Sequence, residues 1–254
     1  MSGFRAYCDF SELCEGGEIP VGGSVELNAA ESRHLCGSLR ARAGDIVDVF
    51  DAKGNAYRCE LAEASSKSAA LRVIGRLYPK SPDVEVYLAQ CLPKGPAFDE
   101  IIRQSVELGA SGIYPLMSCR SVVRIGRADA EKKSAKWFEK YVEAIKQSSN
   151  LSKFEMPLVS DLSDFLSNSG GFGVKLVASL RENALPIYKV LTSAGVDFAK
   201  SACVLIGPEG DLSDAEYDAA ERAGFIPVKL GDNVMKCDTA AACALSVLKA
   251  FWQK

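Results

Sequence analysis

The pattern of hydrophobic and polar positions changes once along the chain. Up to about residue 78, apolar residues occur in short alternating runs, such as DIVDVF (45–50) and ALRVIGRL (70–77), with turn residues between them. Alternation of this kind predicts strands, so we expect a small β-rich unit. Beyond the turn at 78–82, longer apolar runs alternate with amphipathic stretches. We therefore predict two domains, residues 1–78 and residues 79–254.

The second domain has the pattern of alternating strands and helices. The predicted strands are VEVYLAQCL (84–92), GIYPL (112–116), VKLVASL (174–180), CVLIG (203–207) and IPVKLG (226–231). The predicted helices cover 98–109, about 129–147, about 185–194, a segment from Ser213, and a segment from near Asp238 to the C-terminus. This alternation is typical of a mostly parallel sheet with helices on both faces, so we predict an α/β fold. The segment SSNLSKFEMP (148–157) is interpreted as a linker.

Two strand-to-helix junctions in this domain are rich in glycine. They are IGPEGDLSDAE (206–216) and LGDNVMKCDTAAACALSVL (230–248). In the first, Ser213 and Glu216 have the spacing of a capping box, and Gly224 is placed to end the helix. The second leads into a helix of small apolar residues, which we expect to be buried against neighbouring helices or a second subunit.

These junctions are either plain turns or loops shaped to hold a ligand. They follow strands that look adjacent, and open α/β sheets bind ligands at the carboxyl ends of their strands. Neither loop has the glycine spacing of a phosphate-binding or dinucleotide-binding motif. An adenosine-like group held by backbone amides and apolar side chains is favoured instead.

Composition narrows the setting. The chain has 254 residues, 48% of them hydrophobic, and no apolar run approaches the roughly 20 residues that cross a bilayer. The first 20 residues lack the apolar core of a signal peptide, so a cytoplasmic protein without a membrane partner is expected. The nine cysteines show no C-x-x-C spacing, so we expect no disulfide framework and no metal site, and most of them are interpreted as small buried hydrophobes.

Charge is unevenly distributed along the chain. The formal net charge is −3, yet residues 118–140 contain seven basic residues against three acidic ones. A solvated helix face and a polyanion contact are both open interpretations of this segment. A second, smaller basic group consists of Arg33, Arg40 and Arg42.

The two glycine-rich junctions resemble the GPEGG-F-S-x-x-E and LG-x-R-I-L-R-x-E-T-A signatures of the ribosomal RNA small subunit methyltransferase E family. Segments 34–57, 92–124 and 146–157 are similar to further parts of that family, so the resemblance spans residues 30 to 248 in order. The family belongs to the SPOUT class and uses S-adenosylmethionine. Five matched segments are far more specific than one glycine loop.

The resemblance implies a fold and an activity. It implies a small PUA-like β-barrel domain that helps to bind RNA, followed by a C-terminal SPOUT α/β domain with a deep trefoil knot. It also implies a homodimer, with the cofactor in the knot beside the subunit interface. The implied reaction is methylation of uridine N3 in small-subunit (16S) ribosomal RNA, free or in the assembled small subunit, without a metal.

Carried over by position, the resemblance also implies site residues. The implied cofactor-binding residues are Leu180, Ile206, Gly207, Gly210, Leu230, Gly231, Val234, Met235, Cys237 and Thr239. Cys237 is expected to contribute a main-chain contact rather than thiol chemistry. The implied RNA-binding residues are Arg33, Arg40, Arg42, Arg124 and Arg127. His34, the only histidine, is expected to be structural or to contact RNA, because it belongs to the first domain.

The candidate catalytic residues are Lys236, Arg120 and Asp238. A cation near the uracil carbonyls would stabilise the anion that forms when N3 loses its proton, and Lys236 is the first candidate for this, followed by Arg120. Asp238 either orients or deprotonates the base, or is only an acid at a helix N-terminus.

The chain departs from the family signatures at several positions. Asp211 stands in place of the second glycine of GPEGG, Asn233 and Lys236 in place of arginines, and Asp238 in place of glutamate, while both charged ends of E-Q-x-x-R are absent at 146–150. The departures fall mainly on the expected RNA side. Three hypotheses follow: the uridine-N3 methyltransferase, a SPOUT methyltransferase with another RNA target, and an RNA-binding protein without turnover.

Overall fold

The chain divides into two compact units. The computed structural model describes residues 3–12, 18–193 and 195–253. The first unit comprises Met1–Ser81 and Ser149–Lys153, and the second comprises Pro82–Ser148 and Phe154–Lys254. Five residues that look like a linker in sequence therefore belong to the first unit. Ser152 Oγ donates a hydrogen bond to the Lys80 carbonyl oxygen at 3.3 Å.

The first unit is built on a β-sheet. Its described strands are β1 (Phe4–Tyr7), β2 (Ser24–Glu26), β3 (Ile46–Phe50), β4 (Ala56–Glu63) and β5 (Ala70–Leu77), in the order β1-β3-β4-β5-β2. The β1–β3 pair is parallel and the other pairs are antiparallel. Alternate side chains, such as Val47, Val49 and Cys59, enter a common apolar core, as the period of a half-buried strand requires. Helix α1 (Ala29–Ser32) begins after Asn28, whose side chain accepts two backbone N–H groups, and runs into a π-helical stretch, Arg33–Ser38.

The second unit alternates strands and helices. Its described elements are β6 (Glu85–Cys91), α2 (Ala97–Glu107), β7 (Gly112–Met117), α3 (Arg127–Ser148), β8 (Ser160–Asp161), α4 (Leu162–Ser167), β9 (Val174–Ala178), β10 (Leu185–Pro186), α5 (Ile187–Leu191), β11 (Ser201–Ile206), α6 (Asp214–Arg222), β12 (Ile226–Lys229) and α7 (Cys237–Trp252). The strands form one sheet in the order β10-β12-β9-β11-β6-β7-β8, and every neighbouring pair is parallel. The predicted α/β class is confirmed.

The central strands of this sheet are buried on both faces. One face, including Cys91 and Leu205, packs against Phe165 of α4 and Tyr217 of α6. Helices α2 and α7 pack together, and α7 also contacts β6 and β11. Burial on both faces explains why β6 and β11 are almost continuous apolar runs rather than alternating ones.

Helix α7 is buried along one stripe. Its buried residues are Cys237, Ala241, Ala244, Leu245, Leu248 and Trp252, which follow the spacing of a single helix face. Ser246 and Ala250 on another face are exposed in the single chain. The expected burial of this helix against neighbouring elements therefore holds for one face, and burial against a second subunit stays a prediction.

Three features of this unit differ from what the sequence predicts. The helix expected near 185–194 is only α5, because Leu185 precedes a proline, which disfavours helical backbone, and instead pairs with Val228 in a short strand. Ala194 lies outside the described residues. The sequence reading also missed β8 and α4. Finally, the strands that precede the glycine loops are not adjacent, because β9 lies between β11 and β12.

Candidate functional site

A cavity of about 520 Å³ lies where β9, β11 and β12 end. Parallel strands present their carboxyl ends at one edge of the sheet, so the loops that follow them converge. Because β9 lies between β11 and β12, its following residues Ser179 and Leu180 join the two glycine loops in lining this cavity. The interpretation of the two junctions as plain turns does not explain why they line a common cavity.

Eight of the ten expected cofactor-binding residues line the cavity. They are Leu180, Ile206, Gly207, Leu230, Gly231, Val234, Met235 and Cys237. Gly210 and Thr239 are absent from its wall. Sequence reasoning did not assign a cofactor role to the remaining lining residues, which are Ala178, Ser179, Pro208, Glu209, Asp211, Tyr217, Lys229, Asp232, Asn233, Lys236 and Ala240. Most are chain neighbours of expected residues, whereas Tyr217 comes from α6 and carried no motif signal.

The first glycine loop is shaped by a close approach. A Cβ on Gly207 would lie 3.3 Å from Asp211 Oδ1 and 3.4 Å from the Leu212 backbone nitrogen. The lack of a side chain at Gly207 therefore makes room for the Asp211 carboxylate. Asp211 itself has a left-handed backbone, with φ of 60°, which aspartate tolerates better than most residues but less well than glycine.

Helix α6 begins with the expected capping box. The Ser213 side chain accepts the Glu216 N–H, and the Glu216 carboxylate accepts the Ser213 N–H at 2.9 Å. The same carboxylate accepts the Cys119 backbone N–H at 2.7 Å and its thiol at 3.0 Å. Burial raises the pKa of Glu216, but these hydrogen bonds outweigh it and hold the pKa below its ordinary value. The capping box thus also anchors the 118–124 segment.

Arg120 holds the glycine loop from outside the cavity. Its guanidinium donates to the carbonyl oxygens of Gly210 at 3.1 Å and Leu212 at 3.2 Å. A Cβ on Gly210 would contact Arg120 Cβ at 3.4 Å, so Gly210 permits this close packing. Neither Arg120 nor Gly210 lines the cavity, so Arg120 contacts the loop away from the cavity wall.

The second glycine loop supplies the exposed rim of the cavity. Val234 is 78% exposed, and Met235 folds back so that its Cε would contact a Cβ on Gly231 at 3.1 Å. Lys236 is the N-cap of α7, and its exposed side chain is on the cavity wall. The first candidate catalytic residue therefore lies at the cavity.

Asp238 faces elsewhere. It is half-buried in the first turn of α7, and its Oδ1 accepts the Thr239 N–H at 2.9 Å. It lines a second groove, which is formed mainly by α2 and α3 and is also lined by Asp99, Arg103 and Lys140. Within one chain, Lys236 and Asp238 therefore do not share a cavity.

Acidic side chains outnumber basic ones on the cavity wall. Glu209, Asp211 and Asp232 line it together with Lys229 and Lys236. Glu209 is fixed in place, because its Oε1 accepts the Lys94 backbone N–H at 2.9 Å. Apolar lining from Ile206, Leu230 and other residues completes a wall that suits a partly apolar ligand carrying positive charge.

The thiol of Cys237 is not activated as a nucleophile. Burial raises the pKa of the Cys237 thiol to about 11, so the thiol stays protonated at neutral pH. All eight cysteines in the described part of the chain are free, and four of them are buried. The expectation that most are buried therefore holds for only half of those eight, and Cys14 lies outside the described residues.

The predicted RNA-binding residues fall in both units. Arg33, Arg40 and Arg42 are exposed in the first unit, as is His34 beside them. Arg40 adopts a left-handed backbone with φ of 58°. Arg124 is exposed in the second unit, and its guanidinium donates to the Cys119 carbonyl oxygen at 2.8 Å. Arg127 is the first residue of α3, and its side chain lies outside the described part of the structure.

Neither a candidate membrane span nor a candidate metal site is present among the described residues. None of the helices in residues 3–12, 18–193 and 195–253 is long and apolar enough to cross a membrane. In the same ranges, no group of three or more His, Cys, Asp and Glu side chains is arranged to hold a metal ion.

Comparison with known families defines the class of protein. A family model described as an RNA methyltransferase domain matches residues 79–249, which include the whole cavity. A second model, described as an RNA methyltransferase PUA domain, matches residues 27–74. The chain belongs to this RNA methyltransferase family.

The relatives make the comparison more specific. The ribosomal RNA small subunit methyltransferase E of Bacillus subtilis is 28% identical over 242 residues, which are 91% of each chain. The crystal structure of the enzyme of the same name from Neisseria gonorrhoeae, bound to S-adenosyl methionine, has a TM-score of 0.85 at 25% identity and 98% coverage of both chains. A Legionella pneumophila methyltransferase with bound SAM matches with the same values. The resemblance drawn from the sequence is confirmed.

Proposed function

We propose that this protein transfers a methyl group from S-adenosylmethionine to N3 of a uridine in small-subunit (16S) ribosomal RNA. The observation that carries the proposal is the cavity, because both signature loops of the family line it at the carboxyl edge of a parallel sheet. The Neisseria gonorrhoeae relative, whose fold is similar over 98% of the chain, is bound to S-adenosyl methionine. We place the reaction in the cytoplasm, where assembling ribosomal subunits would be met.

The cavity residues fit this cofactor. Its volume of about 520 Å³ lies in the range of small-molecule sites, roughly 300–1,000 Å³. The apolar residues Leu180, Ile206 and Leu230 suit the adenine ring, and the carboxylates of Glu209, Asp211 and Asp232 suit the positive charge of a sulfonium and an ammonium group. S-adenosylmethionine supplies an electrophilic methyl group on its sulfonium sulfur.

The chain's own residues would then align and polarise the uracil. Uracil N3 must release its proton to solvent water, and negative charge spreads onto the neighbouring carbonyl oxygens as it does so. Lys229 and Lys236 both line the cavity, and Lys236, the N-cap of α7, is our candidate for stabilising this charge. We assign Arg120 to holding the loop through Gly210 and Leu212, and Asp238 to the N-terminal turn of α7.

RNA binding would draw on both units. We propose phosphate contacts for Arg33, Arg40, Arg42, Arg124 and Arg127, because cations on the surface supply most of the affinity for a nucleic-acid backbone. We further propose a homodimer and a deep trefoil knot, as in the SPOUT class. The exposed small residues of α7, such as Ser246 and Ala250, would permit close helix packing in such a dimer.

The proposal is tested by the identity of the methylated nucleoside. Purified protein is incubated with methyl-labelled S-adenosylmethionine and small subunits from cells that lack this modification, and the digested nucleosides are analysed by mass spectrometry. Labelled 3-methyluridine is the expected product. Another labelled nucleoside would favour a methyltransferase with a different target, and absence of label with intact cofactor binding would favour an RNA-binding protein.

Lys236→Ala tests the catalytic assignment. Loss of one charge-stabilising group is expected to lower the turnover number about 100-fold or more, while the cofactor Kd changes little because the loop backbone is intact. Lys189→Ala is the matched control, since Lys189 is an exposed lysine on α5 that does not line the cavity. Equal turnover in the two variants would remove Lys236 from the mechanism.

A further inference from the structure

We infer that Asp211 and Tyr217 form a positioning pair that holds the first glycine loop in its ligand-binding shape, in place of the glycine that the family signature has at 211. The inference deepens the proposed function and rests on it for the identity of the cofactor. The pair uses Asp211, the residue at which this chain departs from the signature.

The backbone at Asp211 requires such support. Its φ of 60° lies in the left-handed region, which glycine enters freely and other residues enter at a cost. The position therefore keeps the glycine conformation while carrying a larger side chain. A stabilising side-chain interaction is needed to offset that cost.

The Asp211 carboxylate makes this interaction. Its Oδ1 accepts the Leu212 backbone N–H at 2.8 Å and the Tyr217 hydroxyl at 2.7 Å. The same oxygen would be 3.3 Å from a Cβ on Gly207, so it occupies the space beside that glycine. The carboxylate thus connects the end of the loop at Leu212 to Tyr217 in the first turn of α6.

Tyr217 is placed to donate this hydrogen bond to Asp211 at neutral pH. Its ring is 2% exposed, and its hydroxyl also lies 3.3 Å from the Ala178 carbonyl oxygen at the end of β9. Burial raises the pKa of Tyr217, and the hydrogen bond to Asp211 raises it further, so the hydroxyl keeps its proton at neutral pH. One phenol therefore lies between the loops that follow β9 and β11.

Arg181 fixes the other side of the Tyr217 ring. Its guanidinium lies 5.4 Å from the ring centroid and pairs with Asp218 at 3.1 Å and Glu221 at 3.4 Å on α6. Its backbone N–H donates to Ser179 Oγ at 3.1 Å. The ring cannot easily rotate away from Asp211, so the hydrogen bond is preorganised.

A double-mutant cycle tests the pair. The variants are Asp211→Ala, Asp211→Gly, Tyr217→Phe and the combination of Asp211→Gly with Tyr217→Phe. Tyr188→Phe is the matched control, because Tyr188 is exposed on α5 and does not line the cavity. Each variant is measured twice, by thermal unfolding without cofactor and by calorimetric titration with S-adenosylmethionine.

The expected results distinguish the effect of the left-handed backbone at position 211 from the effect of the side-chain hydrogen bond. Asp211→Ala loses the carboxylate and keeps the strained backbone, so its Tm is expected to fall about 2–4 °C below that of Asp211→Gly. Tyr217→Phe is expected to weaken cofactor binding about five- to tenfold in the natural sequence, but about twofold or less in the Asp211→Gly background. Tyr188→Phe is expected to match the natural protein in both measurements.

Equal effects of Tyr217→Phe in the two backgrounds, in both measurements, would overturn the inference. The unfolding measurement decides the question without cofactor. If the effects on Tm are coupled but the protein does not bind S-adenosylmethionine, the positioning pair stands and the proposed function fails.

Discussion

Removing the Arg120 side chain should loosen the cofactor loop without touching the cavity wall. In Arg120→Ala the carbonyl oxygens of Gly210 and Leu212 lose their donors, at 3.1 and 3.2 Å. Arg120 is exposed, so water can enter the space that its side chain leaves. The loop then keeps the Asp211 carboxylate, the capping box at Ser213 and the hydrogen bond from Lys94 to Glu209.

The size of the effect follows from these two contacts. A buried hydrogen bond to a charged group contributes about 1.5–3 kcal/mol, and exposure reduces this to about 0.5–1 kcal/mol for each contact. The pair therefore contributes about 1–2 kcal/mol to the order of the loop. Since about 1.4 kcal/mol is a factor of ten, the Kd for S-adenosylmethionine should rise about five- to thirtyfold.

Calorimetry with S-adenosylmethionine measures this change directly. Arg222→Ala is the control, because Arg222 is an exposed arginine in the last turn of α6 that does not line the cavity. Arg120→Lys should recover part of the affinity, since both carbonyls are contacted by one nitrogen, Nη1, which a lysine ammonium replaces with different reach and direction. An unchanged Kd together with lost methylation would refute the loop-holding role and place Arg120 at the RNA substrate.

Three further outcomes are expected. Arg40→Gly removes the cost of a left-handed backbone at an arginine with φ of 58°, so the free energy of unfolding, measured with denaturant, should rise by about 0.5 kcal/mol. The slope of RNA affinity against salt concentration should fall by the amount expected for about one phosphate contact. Glu216→Gln should destabilise the protein at neutral pH. The folded-state pKa of Glu216 is lowered, so the stability that its carboxylate contributes is lost as the pH falls. The urea midpoints of the variant and the natural protein should therefore converge at pH values below 4.5, the ordinary pKa of a glutamate. Gly207→Ala should displace the Asp211 carboxylate and weaken cofactor binding about tenfold, as measured by calorimetry.

Local signals in the sequence were good predictors of local structure. The capping box at Ser213 and the helix end at Gly224 both depend on residues within one or two turns, and both are confirmed. The central strands were recognisable because burial on both faces demands long apolar runs. The site's position at the strand ends follows from the same alternation.

The order of the strands in the sheet could not be predicted from such local signals. The sequences of runs 174–180 and 226–231 do not indicate that β9 lies between β11 and β12. The neighbours of a strand in a parallel sheet depend on the crossover connections and not on distance along the chain. The orientation of Asp238, one residue beyond Cys237, depends on the helical phase of α7. Tyr217 was missed because its role depends on Asp211, six positions earlier, having a left-handed backbone.

The return of Ser149–Lys153 to the first unit has a consequence for synthesis on the ribosome. Those residues pack on an early turn, where a Cβ on Gly54 would lie 3.2 Å from the Lys153 backbone nitrogen, and they follow the whole of α3 in the chain. The emerging first unit therefore lacks its last segment until β6, α2, β7 and α3 have been made. Domains of most chains fold from the N-terminus as they appear, whereas here the first unit can be completed only after much of the second has emerged.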